Sequence, residues 1–149
     1  MKFRHANVDD LAQLRALEQE IIDAERPFNS SIREQGVYYY DIETLISSDE
    51  CCLMVAEVNG ELIASGYSQI RESKPSLNHK IDAYLGFMYV QPNFRGKGIN
   101  KEIMDRLISW SSSKGVSDLF LDVYFGNSPA IRAYIKSGFT SSMIEMKLN

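Results

Sequence analysis

Two glycines beside two cations, in Arg95-Gly96-Lys97-Gly98-Ile99-Asn100, are the residues of this chain best suited to holding an anion. The apolar run Ala83 to Val90 before them reads as a buried strand, and Ile99 to Lys114 after them reads as a helix stopped at Gly115. A strand, a glycine turn and a helix N-terminus in that order leave several backbone N–H groups unpaired and aimed at one point, backed by the positive end of the helix dipole. Diphosphate fits such a cradle. The common nucleotide motifs do not match. A Walker loop needs Lys and then Ser or Thr after its second glycine, where this chain has Ile99 and Asn100, and the dinucleotide fingerprint needs a glycine at the position of Lys101.

A second motif follows at Asn127-Ser128-Pro129-Ala130-Ile131-Arg132-Ala133-Tyr134-Ile135-Lys136-Ser137-Gly138-Phe139. Ser128 is a good N-cap, Pro129 a good first helical residue and Gly138 a left-handed stop, so the segment reads as a short capped helix. Asn127, Ala130 and Tyr134 recur at spacings of three to four residues and share one face of it. With both motifs in this order, the chain resembles the GCN5-related N-acetyltransferase (GNAT) family. That family's acyl-CoA loop has the form Gln/Arg-x-x-Gly-x-Gly/Ala, and its later helix carries Asn-x-x-Ala-x-x-x-Tyr-x-x-x-Gly-Phe. Asn100 departs from the loop pattern, standing where the family has Gly or Ala.

The resemblance implies an α/β fold: a mixed, splayed sheet of six to seven strands with helices on both faces, in one domain over residues 1–149. It implies transfer of an acetyl group from acetyl-CoA, as co-substrate, directly to a primary amine, without an acyl-enzyme. Arg95, Gly96, Lys97, Gly98, Ile99, Asn100 and Lys101 would hold the diphosphate, and the backbone of Met88, Tyr89 and Val90 would pair with the pantetheine arm. Asn127 would bond the pantetheine amide or a water, or simply cap its helix.

The reaction needs a neutral amine, a polarised carbonyl and a proton for the departing thiolate. A lysine-like amine has a pKa of about 10.4, so a base must take its proton. Asp122, in Leu121-Asp122-Val123, matches the Glu of the Leu-Glu-Val pattern that serves as base in family members acetylating protein N-termini. It reads equally well as a strand-end carboxylate paired with a cation, and Asp82, Glu25 and Tyr84 are alternatives. Tyr134 is the acid expected from the resemblance, because a phenol of pKa about 10 stays protonated at neutral pH. A backbone N–H near Met88 to Val90 can polarise the carbonyl. The acceptor stays open among a protein N-terminus, a lysine and a small amine, and a homodimer is an allowed assembly. A non-enzymatic acyl-CoA sensor is the alternative function, and a nucleotide-binding protein a further one.

Composition sets the frame for these residues. A chain of 149 residues forms one domain with a real core. No apolar run approaches the roughly 20 residues of a membrane span, and the start Met1-Lys2-Phe3-Arg4-His5 lacks a signal-peptide core, which points to the cytoplasm. Cys51 and Cys52 are adjacent, a poor geometry for a mutual disulfide, and no Cys/His cluster offers a metal site. Residues 1–50 hold five basic and eleven acidic side chains, whereas residues 51–149 hold eleven and nine. The acidic part suits a cation and the rest tolerates phosphates. No basic stripe with interleaved aromatics marks a nucleic-acid partner.

The remaining elements follow from periodicity. Phe3 to Ala6 reads as a strand, and Leu11, Leu14, Leu17 and Ile21 mark a helix ending near Arg26-Pro27. Asp41 caps a short helix through Ile46. Leu53 to Val58 and Glu61 to Ile70 flank Asn59-Gly60 as a hairpin, and Leu119 to Tyr124 reads as a strand parallel to the one before the cradle. Phe139 and Met143 to Leu148 are expected to supply closing strands.

Overall fold

The computed structural model describes all 149 residues and contains one mixed sheet of five strands with helices on both faces. The strands are β1 (Lys2–His5), β2 (Cys51–Val58), β3 (Glu61–Glu72), β4 (Ile81–Val90) and β5 (Leu119–Leu121), and they lie in chain order across the sheet. The first four are antiparallel neighbours, while β5 runs parallel to β4. The Asn59-Gly60 turn joins β2 to β3 with both residues at positive φ, 52° and 82°, as a two-residue hairpin twisted with its strands requires.

Helices α1 (Leu11–Glu25) and α2 (Ile42–Ser47) cover one face, burying Leu14, Leu17, Ile22 and Ile42 against Leu53, Val55 and Phe87. Helices α3 (Ile99–Ser113) and α4 (Ser128–Lys136) cover the other, where Ile103, Met104 and Leu107 pack on Met54, Ile63 and Leu85. α1 begins just after a short turn capped by Asn7, whose side chain and backbone exchange hydrogen bonds with residues 9 and 10 in a capping box. α2 is capped by Asp41, as its sequence predicts. No helix is long and apolar enough to cross a membrane.

One feature of β4 decides the geometry of the whole sheet. Ser65 pairs with Tyr89 but Tyr67 pairs with Gly86, so Gly66 on β3 faces two residues, Phe87 and Met88, across a bulge. Phe87 has φ +55°, a left-handed conformation costing a non-glycine residue about 1–2 kcal/mol. Three contacts hold it there. Its carbonyl accepts a 2.8 Å hydrogen bond from the buried Ser65 hydroxyl, its ring stacks on Tyr40 at 4.5 Å, and its side chain is buried in the α1/α2 core. The extra residue reverses the strand's alternation, so that Tyr84 before the bulge and Phe87 and Tyr89 after it face α1, while Leu85, Met88 and Val90 face α3. A Cβ on Gly66 would stand 2.5 Å from Met88 Sδ and 2.9 Å from Ile103 Cγ2, so only glycine lets α3 approach here.

Two expectations are corrected. β5 ends at Leu121 rather than Tyr124, and residues 140–149 form no strand, so the sheet has five strands rather than six to seven. The tail's alternation of Ile144, Met146 and Leu148 with Glu145 and Lys147 suits a strand, but an edge of three residues offers it too short a ladder, and its side chains stay exposed. Of the two residues suited to cap α4, Asn127 does so, its Oδ1 accepting from the Ala130 N–H.

Arg4 ties β1 to the start of α1. Its guanidinium donates two hydrogen bonds of 2.7 and 2.8 Å to Asp10, whose side chain is only 6% exposed, and a third to Glu57. The Arg4 hydrogen bonds hold the Asp10 carboxyl below its usual pKa, against the opposing effect of burial. Removing Asp10 leaves Arg4 half paired and frees the Asn7 N–H, so Asp10→Ala should cost about 3 kcal/mol in urea unfolding at pH 7. A lowered carboxylate pKa stabilises the fold above the unfolded value and is lost as pH falls through the folded one. The difference between parent and variant should therefore shrink below about pH 4.

Candidate active site

β4 and β5 part company where the bulge begins. Their pairing runs from Ala83–Leu119 to Leu85–Leu121 and stops, so Gly86 to Val90 have no neighbour on the β5 side. The opening leaves the β5-side edge of β4 unpaired from Gly86 to Val90. The side chains of Met88, Tyr89 and Val90 serve the core, as expected: Met88 and Val90 pack toward α3, and Tyr89 is buried toward α1 with its hydroxyl donating to Glu20 at 3.2 Å.

The cradle lies at the end of this edge. Gly96 and Gly98 have φ of +78° and +77°, with nothing within 4 Å of where a Cβ would sit, and Gly98 is the N-cap of α3. No side chain caps that helix, so the first-turn N–H groups of Ile99, Asn100 and Lys101 have neither an intrahelical acceptor nor a cap. An open helix N-terminus entered through glycines fits a phosphate-bearing ligand. The side chains are arranged differently from the sequence expectation. Arg95 Nε turns back to donate to the Val90 carbonyl at 2.8 Å, with its guanidinium over the Tyr89 ring, and Lys97 lies over Phe94. Lys101 is drawn down its helix to Asp105 at 2.7 Å, and Ile99 is buried beneath the loop. Asn100 is half-buried in the first turn of α3. Arg95 and Lys97 have no carboxylate partner and keep their charge beside the cradle, which is therefore built mainly from backbone.

α4 brings Tyr134 to the α3 side of the opening, where it packs edge-on to Phe139 among the residues of the second core. Burial, and then the charge of Glu25, push its phenol up to about 12, and no protein group hydrogen-bonds its hydroxyl. Asn127 spends its side-chain oxygen on the α4 cap, leaving its amide N–H₂ without a protein partner. Asp122, just past β5, is exposed and accepts a 2.9 Å hydrogen bond from the Tyr84 hydroxyl.

The other side of the opening is aromatic. Tyr40, Tyr67 and Tyr84 form a chain of ring contacts along β3 and β4, and Phe28 stacks on Tyr124, whose hydroxyl accepts from Asn29. Gly86 makes room for this wall, since a Cβ there would fall 2.5 Å from the Tyr67 hydroxyl. Glu18 anchors it. Fully buried in α1, its Oε2 accepts from the N–H groups of both Tyr39 and Tyr40, at 2.9 and 2.8 Å. Glu18 is not among the site residues expected from the sequence, although an acidic residue within an apolar helical stripe is a visible signal. Asp82 is buried but held by Arg71 and Ser73, and His79 is half-buried against Ser73 at 2.6 Å. Both lie at the opposite end of β4 from the cradle. No group of side chains is placed to bind a metal.

Comparison with known proteins agrees with this geometry. The family model described as Acetyltransferase (GNAT) family matches residues 18–139. Acetyltransferase ECA0875 of Pectobacterium atrosepticum is 33% identical over 99 residues, 64% of this chain, and the match spans 62% of that protein. Among solved structures, a tetramutant of the BH1408 protein from Bacillus halodurans superposes with a TM-score of 0.88 at 21% identity, covering 100% of this chain and 99% of the other. The aminoglycoside N-acetyltransferase AAC(6')-Iy, in complex with CoA, superposes at 0.77 with 18% identity, covering 99% and 98%. These two establish the shared fold. With the glycine cradle, the parted strands and the Tyr134 helix in one order and one place, and with a family match over most of its length, this chain belongs to the GNAT acetyltransferase family.

Proposed function

We propose that the protein transfers an acetyl group from acetyl-CoA to the primary amine of a small cationic molecule. The observation that carries this reading is the gap between β4 and β5, which opens at one end onto an uncapped helix N-terminus, with Tyr134 packed among the residues of the α3 face. Acetyl-CoA supplies the activated acetyl group as a thioester. The N–H groups at Gly96 to Lys101 bind its diphosphate, with Arg95 and Lys97 adding charge, and the free edge of Met88 to Val90 pairs with the pantetheine amides. The Asn127 amide is free to join them. A backbone N–H on this edge, fixed by the bulge, polarises the thioester carbonyl without reorganising.

Tyr134 donates to the sulfur as the carbon–sulfur bond breaks. Its raised pKa keeps it protonated at any working pH, and the absence of a competing hydrogen bond leaves its proton free for that use. The acceptor side supports a cationic small molecule, since tyrosine faces and the carboxylates Glu25 and Asp122 attract an ammonium group. An aminoglycoside acetyltransferase shares the fold, and aminoglycosides are amines of this kind.

Thiol release from acetyl-CoA, measured with spermidine, tyramine, kanamycin, glucosamine 6-phosphate and a lysine-containing peptide, tests the reading. Turnover with one of the small amines is expected, and thiol release with none of them would contradict it. Tyr134→Phe should lower kcat by about 100-fold, within the range of general-acid effects, with the acetyl-CoA Kd within a factor of three of the parent. Gly98→Ala forces alanine into the left-handed region at a cost of about 1–2 kcal/mol, and calorimetry should show roughly tenfold weaker acetyl-CoA binding as the loop relaxes.

A further inference from the structure

We infer that Tyr67 is the specificity residue for the acceptor: its hydroxyl and the Asp122 carboxylate together seat a primary ammonium group at the point where β4 and β5 part. This deepens the proposed acetyl transfer, on which it rests.

Tyr67 stands on β3 opposite Gly86 of β4, with its side chain on the α1 face of the sheet. Its ring crosses β4 at that point. A Cβ on Gly86 would fall 2.5 Å from the Tyr67 hydroxyl, 2.6 Å from Cζ and 2.7 Å from Cε2, so the phenol end lies directly over the Gly86 backbone. Gly86 is also the first residue of β4 beyond the pairing with β5, which stops at Leu85–Leu121. A side chain rooted on β3 is thereby carried to the mouth of the gap.

The hydroxyl arrives there without a partner. Tyr67 is only 7% exposed, yet no protein group hydrogen-bonds its oxygen. Glu18 Oε1 is the one unpartnered side-chain oxygen that is sealed off completely, so the Tyr67 hydroxyl is open to a ligand. An unpaired hydroxyl on a buried side chain costs a fold stability, and a polar ligand would relieve that cost. Burial pushes the phenol above its usual pKa, so it meets a ligand as a neutral O–H whose oxygen can accept.

Asp122 supplies the charge. It is the next residue after Leu121, so a ladder continued by one position would make it the neighbour of Gly86. The Tyr84 hydroxyl donates to its Oδ2 at 2.9 Å, and its Oδ1 has no partner. No cation pairs with this carboxylate. Arg71, whose guanidinium lies over the Tyr84 ring at 5.2 Å, is bonded instead to Asp82 at 2.6 Å. The Tyr67 and Tyr84 rings are themselves in contact, with centroids 6.5 Å apart. A free carboxylate oxygen, a free phenol oxygen and two tyrosine rings therefore border one place. An ammonium group seated there donates one N–H to Asp122 and one to Tyr67, with the rings beside its charge. Both oxygens act as acceptors, which matches a donor-only cation and selects against an anion.

The test compares parent, Tyr67→Phe and Asp122→Asn on whichever amine of the panel the parent turns over. Tyr67→Phe should raise the amine KM about tenfold, as loss of a hydrogen bond to a charged group does, with kcat within threefold and the acetyl-CoA Kd unchanged. Its Tm should equal or exceed the parent's, because the hydroxyl removed has no partner in the fold. Asp122→Asn should also raise the amine KM about tenfold, and the rise of that KM with added NaCl in the parent should be much smaller in this variant. An amine KM within twofold of the parent in Tyr67→Phe would overturn the assignment. So would a Tyr67→Phe protein with lowered Tm and weakened acetyl-CoA binding, since that would make the hydroxyl a structural group. A parent inactive on every amine would overturn the acetyl transfer itself, and the ammonium seat with it.

Discussion

Everything at the candidate site depends on one residue inserted into one strand. The bulge at Phe87 turns the second half of β4 over, sending Met88 and Val90 toward α3 and Tyr89 toward α1, and it is where β5 stops following. A regular strand would have kept its neighbour and left no edge for a ligand. The left-handed Phe87 is paid for by its surroundings: Ser65 holds its carbonyl and Tyr40 its ring, while Glu18 holds the Tyr40 backbone. A buried carboxylate in α1 is in this way connected, through two hydrogen-bonded or stacked contacts, to the gap on the far side of the strand. Strain of this kind persists only where neighbours over-determine it, and it concentrates where function is.

The same gap organises the charges. At one end of it lie the helix N-terminus, Arg95 and Lys97, a place for an anion. On its α1 side lies a wall of tyrosines, with the Asp122 carboxylate held by the Tyr84 hydroxyl, a place for a cation. In the proposed reaction an anionic co-substrate and a cationic acceptor approach this opening from different sides, and their reactive ends meet in it.

What could be read in advance was local. The glycine cradle, the Asn59-Gly60 hairpin, the caps of α2 and α4 and the stripe of α1 depend on a few consecutive residues, and each formed close to where its residue types demand. What could not be read depends on partners distant in sequence. Nothing in Ala83 to Val90 announces that Phe87 takes a left-handed conformation, because the reason lies in Ser65 and Tyr40. The tail 143–148 has the alternation of a strand, yet a strand needs an edge, and β5 provides three residues. Likewise the side chains of Arg95 and Lys101 are set by the Val90 carbonyl and by Asp105 rather than by the loop that contains them. Motif residues locate the glycine turn and the open helix N-terminus, whereas the direction of each charged side chain is a matter of tertiary contact.

The central claim, that the gap and the uncapped α3 N-terminus form an acetyl-CoA site, is tested most directly by calorimetric titration of the protein with acetyl-CoA against an ATP control. One-to-one binding of acetyl-CoA in roughly the micromolar range typical of enzyme substrates is expected, with ATP markedly weaker because it lacks the arm proposed to pair with β4. No heat with acetyl-CoA, or ATP binding at least as tightly, would contradict it.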